Sequence, residues 1–245
     1  MQKITLAIHG GGILNNKERK IVTFYSPQGG TGKTTLAYIC ALLYSRNKSG
    51  VYLNLEEFGY TEHLYQNEFE IGMEDIMFAI KDKRDVVISI TNAMKKDKRN
   101  VSILPKMNNY SDLADLNADD LVILMESIQQ TSSENCVFVD LSGGLSEENR
   151  KIMELSDINF LVFEEGVVGK GKMERIKADR SVQDAPFFGR SYFLINKCKD
   201  RSEDIDAIHI PFSQSLFNGV DVETVLAGNR DFYQKCMEIM GMIDK

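Results

Sequence analysis

The stretch SPQGGTGKTTLAY, Ser26 to Tyr38, lies between the apolar run IVTFY (21–25) and the helix-like LAYICALLY (36–44). An apolar strand that runs through a glycine-rich turn directly into a helix is the setting a phosphate-binding loop requires. Gly29, Gly30 and Gly32 let the backbone wrap an anion with its N–H groups, because no side chain blocks the approach and unusual φ values cost glycine little. Lys33 supplies a point charge to β and γ phosphates, the Thr34 hydroxyl can sit on Mg²⁺, and the helix start adds its positive dipole end. The strict pattern G-x-x-x-x-G-K-[ST] fails by one residue, because its first glycine falls at Pro27. The same glycines would also serve a turn that merely opens a helix; the complete strand, loop and helix context favours the phosphate loop.

Outward from this loop, short runs rich in Val, Ile, Phe and Tyr recur at 21–26, 51–55, 101–105, 136–141, 158–163, 191–196 and 207–211. They are continuously apolar rather than alternating, which suits strands covered on both faces. Helical segments are predicted between them at 33–48, 73–82, 117–130, 146–155, 170–180 and 221–240. Strand and helix alternating in this way predict an α/β fold with a doubly wound, mostly parallel sheet and helices on both faces. In such sheets ligands bind at the carboxyl ends of the strands, where each motif below falls.

With 245 residues, 43% hydrophobic and 27% charged, the chain is long enough for one large domain with a sizeable core. A formal net charge of −7 builds in no overall attraction to nucleic acid or anionic membrane. The four cysteines, Cys40, Cys136, Cys198 and Cys236, are scattered and form no C-x-x-C pair. That pattern suits reduced core thiols in a cytoplasmic protein, and speaks against a disulfide framework or a zinc or iron–sulfur site. No stretch approaches the ~20 apolar residues of a membrane span.

Two more strand ends carry acids. CVFVD ends on Asp140 after apolar residues, the Walker B arrangement in which a carboxylate helps hold a magnesium shell. Alone it would read better as a cap for the turn that follows; about a hundred residues downstream of Lys33-Thr34, it reads as a site residue. VYLNLEE places Asn54 and Glu56 at the end of the second strand, next to the loop-bearing strand in the usual order. Glu56 can orient an attacking water or join the metal shell, or be a solvated acid beside Glu57.

SPQGGTGKTT, the Asn-x-Glu after the second strand, CVFVDLSGG, FLINK and HIPFSQSL together resemble the ParA/MinD family of deviant Walker P-loop ATPases. Within it FYSP-x-GG, LNLEEFG and DLSGGLS resemble the CpaE/TadZ branch, associated with pilus assembly and its polar localisation. The resemblance covers residues 20 to 240, and makes 21–245 the nucleotide-binding domain with 1–20 an N-terminal extension or linker. It implies a switch in which two protomers sandwich two ATP·Mg²⁺ and slow hydrolysis releases the homodimer. Gln28, Gly29, Gly30, Thr31, Gly32, Lys33, Thr34 and Thr35 would then cradle the phosphates. Asn196 would read the adenine edge, unless it is a turn residue, and Pro211 and Phe212 would flank the base. Lys33, Glu56 and Asp140 would carry the chemistry, with Thr34, Asp140 and Glu56 at the magnesium ion.

The family carries a signature lysine just before the glycine pair, reaching the partner's phosphates; here that position is Gln28. An amide donates a hydrogen bond but cannot neutralise charge on a transferred phosphoryl group. Loss of such a cation costs on the order of 10³ in rate by analogy with an arginine finger. Gln28 therefore implies ATP binding with weak or absent hydrolysis, leaving open a slow switch or a catalytically silent nucleotide-binding scaffold. Lys170 and Lys172 are candidate substitute cations, though charge runs ordinarily lie on solvated faces.

KKDKR (95–99) is the densest basic cluster, but it is short, includes Asp97 and lacks interleaved aromatics. It reads as a solvated loop, which together with the acidic balance speaks against a DNA-partitioning role. Phe232, Cys236, Ile239, Met240 and Ile243 recur at helical spacing with few flanking basic residues, as in a helix packed on the core rather than a membrane anchor. The resemblance thus implies a cytoplasmic bacterial protein recruited to a pole or a membrane-associated machine, with pilus or secretion assembly proteins as partners.

Overall fold

The computed structural model describes residues 19–56, 59, 61, 64–65, 67–106, 115–131, 136–199 and 206–245. The extension expected at 1–20 lies outside these up to residue 18. Eight strands form one sheet: β1 (Lys20–Tyr25), β2 (Gly50–Leu55), β3 (Lys95–Lys96), β4 (Ser102–Ile103), β5 (Cys136–Leu141), β6 (Ile158–Glu164), β7 (Ser191–Cys198) and β8 (Ala207–Pro211). Their order is β3-β4-β2-β5-β1-β6-β7-β8, parallel throughout except for the antiparallel pairing of β3 with β4. β1 sits between β5 and β6, so the turn that leaves it emerges between the ends of those two strands. β2 pairs with β5 and β4, not with β1, which corrects the expected adjacency of Glu56's strand to the loop-bearing strand.

The continuous apolar runs are explained by two cores, one on each face. On one face α1 (Lys33–Ser45), α9 (Val222–Gly228) and α10 (Arg230–Ile243) cover Val22, Phe24, Tyr52, Phe138 and Phe160. On the other, α2 (Met73–Lys81), α3 (Val86–Ala93), α4 (Ala118–Gln130), α5 (Glu147–Leu155), α6 (Val167–Ala178) and the short α7 (Arg180–Gln183) cover Ile21, Tyr25, Val51, Leu53, Val137 and Val139. α8 (Gln214–Phe217) follows β8. Helix α1 is buried from Leu36 to Ser45, as its apolar sequence on all sides requires. Phe232, Cys236, Ile239, Met240 and Ile243 of α10 are buried together, and the four cysteines are free and buried. Among the described residues no helix is long and apolar enough to cross a membrane.

Two local expectations change, and one helix has no counterpart among the predicted segments. The helix foreseen at 221–240 is two helices, because Asn229 leaves helical geometry after Gly228 and its side chain then caps α10 by accepting from the Phe232 amide at 3.1 Å. Helix α3 arises from VVISITNA, a β-branched run with weak helix preference. Asp85 starts it by accepting from the Ile88 amide at 3.0 Å, and burial of Val86, Ile90 and Ala93 on one face holds it. KKDKR is not a solvated loop: Lys95-Lys96 forms an edge strand, and the Asp97 and Arg99 side chains are 1% and 6% exposed.

Arg99 ties three elements together. Its guanidinium donates to the Tyr38 hydroxyl at 3.0 Å, to the Leu64 carbonyl at 2.8 Å and to the Asp221 carboxylate that caps α9. Asp97 accepts from the amides of Arg99 and Val101 and from the Tyr38 hydroxyl. Removing one member of a buried charged cluster strands the others, so Arg99→Ala should lower stability by about 3 kcal/mol. Urea unfolding checks this, and a change below about 1 kcal/mol would mean that the cluster is solvated in solution.

Candidate functional site

The turn after β1 begins at Ser26, whose hydroxyl accepts from the Gln28 amide at 3.2 Å, and ends at Lys33, the first residue of α1. Gly30 and Gly32 take φ values of +75° and +85°, the left-handed region that glycine enters freely. A Cβ on Gly32 would lie 2.5 Å from Asn196 Nδ2, whereas one on Gly29 or Gly30 would meet nothing within 4 Å. Glycine is thus demanded by close packing at 32 and leaves an open cradle at 29 and 30. Helices α3, α4, α5, α9 and α10 begin with a side-chain cap, but α1 has none and carries no acid in its first turn. Its free amides and the dipole end are left facing the cradle, as an anion site needs. The buried Thr31 Oγ1 finds no hydrogen-bond partner among the described residues.

Acids gather under this loop. Lys33, 5% exposed, directs its ammonium to Glu56 Oε1 at 2.6 Å and Asp140 Oδ1 at 3.3 Å. Thr34 donates to Glu56 Oε2 at 3.2 Å, and the Tyr52 hydroxyl donates to Asp140 Oδ2 at 3.3 Å. Glu56 reaches Lys33 although β5 separates its strand from β1, because the chain turns after Leu55 with the Glu56 amide on Asn54 Oδ1 at 2.7 Å. Asn54 itself is buried opposite Asp140 and its Nδ2 has no partner among the described residues. Thr34, Glu56 and Asp140 offer hard oxygen atoms, the donor type Mg²⁺ takes from protein alongside phosphate.

Burial is the largest influence on the fully enclosed Asp140 carboxyl and pushes it up to about 6, with Lys33 opposing and Glu56 adding to the rise. A carboxyl raised in the folded state binds protons more tightly there than in the unfolded chain. Its contribution to stability is therefore full below pH 4 and is lost as pH rises through 6. Without metal or nucleotide, wild-type protein should lose about 1.4 kcal/mol relative to Asp140→Asn between pH 5 and pH 7.5. Urea unfolding of both proteins at the two pH values checks it; a difference that stays constant would mean that Asp140 does not titrate between them.

The loop opens onto a cavity of about 460 Å³ lined by Gly30 to Leu36, Glu56, Asn196, Lys197, Pro211 to Ser213, Leu216, Phe217 and Phe232. Asn196 Nδ2 donates to the Thr31 carbonyl at 2.7 Å, so it anchors the loop as well as facing the cavity. Pro211 and Phe212 stand on the far wall, with the Phe212 ring tilted 54° to that of Phe217 at 5.9 Å. The structure thus brings Gly30, Thr31, Gly32, Lys33, Thr34, Thr35, Glu56, Asn196, Pro211 and Phe212 around one cavity, with Asp140 on Lys33 beneath it.

Gln28 and Gly29 do not line that cavity. Gln28 Nε2 donates instead to Glu164 Oε2 at 3.3 Å, at the end of β6, and its buried Oε1 has no partner among the described residues. Lys170 is exposed as expected, but Lys172 donates to the Pro27 carbonyl at 3.3 Å and so is not a simple solvated lysine. Two residues on this side escaped sequence reasoning: Glu164, and Lys197, which donates to the Gly30 carbonyl at 2.6 Å. The only cue was position, since each lies in the last residues of an apolar strand that the sheet order brings to the loop's side.

The sequence matches no protein-family model and no curated protein. Solved structures do match. One is a ParA family ATPase from Chlorobium tepidum, at 15% identity and TM-score 0.69 over 90% of this chain and 98% of that one. A second comes from the MinC:MinD cell division protein complex of Aquifex aeolicus, at 15% identity and TM-score 0.69 over 91% and 96%. A third is a putative plasmid partition protein from Borrelia burgdorferi bound to AMPPNP, at 17% identity and TM-score 0.69 over 91% and 98%. With its eight-stranded, mostly parallel sheet and helices on both faces, the chain has the P-loop fold of the ParA/MinD ATPases.

Proposed function

We propose that this protein is an ATP- and magnesium-dependent P-loop switch of the ParA/MinD kind that dimerises through its nucleotide face and hydrolyses ATP slowly. The observation that carries the reading is the convergence of Lys33, Thr34, Glu56 and Asp140 beneath an uncapped helix start and a left-handed glycine turn. When bound, magnesium would neutralise charge on the β and γ phosphates and ATP would supply the phosphoryl group. Lys33 would place its ammonium at the phosphate oxygens, Thr34 and Asp140 would hold the metal through oxygen, and Glu56 would orient water or complete the metal shell. Asn196, Pro211 and Phe212 would hold the base, with residues 21–245 as the nucleotide-binding domain.

One observation favours the catalytically weak form of this function, in which ATP stabilises a scaffold. The Gln28 side chain is engaged by Glu164 of its own protomer, so it offers no charge to a partner's phosphates. A DNA-partitioning role fits less well, since net charge is −7 and Arg99 of the densest basic run is engaged internally. The FYSP-x-GG, LNLEEFG and DLSGGLS segments support the CpaE/TadZ branch, and with it assembly or positioning of a pilus or secretion machine from the cytoplasmic face. Calorimetric titration tests the reading: ATP should bind with magnesium and bind more weakly in EDTA. Absence of binding under both conditions would refute it.

A further inference from the structure

Lys197 stands in the left-handed region at φ 62°, a costly conformation for a residue with a Cβ. The register between β7 and β8 shifts between Ile195 and Cys198, and such an irregularity re-aims the side chains beside it. Here the ammonium swings back over the phosphate loop, donating to the Gly30 carbonyl at 2.6 Å and to Glu164 Oε1 at 3.1 Å. The other oxygen of Glu164 takes the Gln28 amide. Asn196, one residue earlier, donates to the carbonyl of Thr31. Two consecutive residues thus hold two consecutive loop carbonyls. In a trans peptide the C=O and N–H point in opposite directions within the plane, so pinning both carbonyls keeps loop amides available to an anion.

Resting on the nucleotide-binding reading above, we propose that Lys197 is a positioning residue for bound nucleotide. With Glu164 as its counter-ion, it clamps the Gly30 carbonyl and keeps the loop in its anion-ready shape where the residue at position 28 carries no charge. The clamp acts on the loop and not on the terminal phosphate, so it serves ATP and ADP alike. The strained turn at 197 is the cost of holding it.

The test is calorimetric titration of wild type, Lys197→Met, Lys197→Gly and Lys197→Arg with ATP·Mg²⁺ and with ADP·Mg²⁺, alongside urea unfolding of each. Loss of a charge-assisted hydrogen bond to the loop should weaken both nucleotides equally, by about tenfold to a hundredfold, in the Met and Gly variants. Lys197→Gly should unfold at no lower urea concentration than Lys197→Met, because both lose the same contacts but glycine adopts φ 62° without strain. Lys197→Arg should recover most of the affinity. Wild-type affinity in the Met and Gly variants would overturn the clamp while leaving the nucleotide site standing. A loss confined to ATP would overturn it in favour of direct contact with the terminal phosphate. Wild-type protein that binds neither nucleotide would overturn both.

Discussion

If Lys33 binds the phosphates as proposed, Lys33→Ala is expected to weaken nucleotide binding by on the order of a hundredfold or more and to abolish any phosphate release, because it removes a buried, hydrogen-bonded charge from that site. It should also mark the nucleotide-free protein. Lys33 lies between Glu56 and the fully buried Asp140, so its loss leaves two carboxylates without their shared cation. Stranding buried charge in this way should cost about 3 kcal/mol near neutral pH. The cost should shrink toward pH 5, where Asp140, already pushed up to about 6 in the intact protein, takes a proton. Calorimetric titration and urea unfolding at pH 5 and pH 7.5 measure the two halves separately. Retained affinity would remove Lys33 from the phosphate site, and a pH-independent cost would mean that Asp140 is not its buried partner.

Gln28→Lys is expected to raise phosphate release, by up to on the order of 10³ if the missing charge is what limits the wild-type rate. Gln28 Nε2 lies 3.3 Å from Glu164 Oε2, so a lysine there meets that carboxylate first. Glu164 is 37% exposed and already paired with Lys197 at 3.1 Å, so it holds a second ammonium only weakly. Steady-state phosphate release from both proteins, with nucleotide saturating, decides the matter. An unchanged rate would show that hydrolysis is limited elsewhere, with Glu56 the next residue to vary.

What could be read from the sequence was what is local. GGTGKTT between a strand and a helix, and CVFVD ending on an acid, each carry their geometry in consecutive residues, and both lie at strand ends around β1. Apolar runs such as VYLNL gave the strands because a strand covered on both faces needs no alternation. What escaped depends on neighbours distant in the chain. Helix α3 overrides the β preference of VVISITNA through its cap and its buried face. The insertion of β5 between β2 and β1 is a matter of sheet order, invisible in any one run. Arg99 looked solvated because its partners, Tyr38 and Asp221, are 61 and 122 residues away. Lys197 reads as an ordinary lysine after a strand until its positive φ and its contact with Gly30, 167 residues away, are known.

Whether nucleotide controls dimerisation, as proposed, is decided by solution molar mass. Light scattering should be run with ATP·Mg²⁺ and with ADP·Mg²⁺ while phosphate release is followed on the same sample. A dimer of the 27.7 kDa chain is expected with ATP and a monomer with ADP, with slow release. A mass that ignores which nucleotide is present would contradict this.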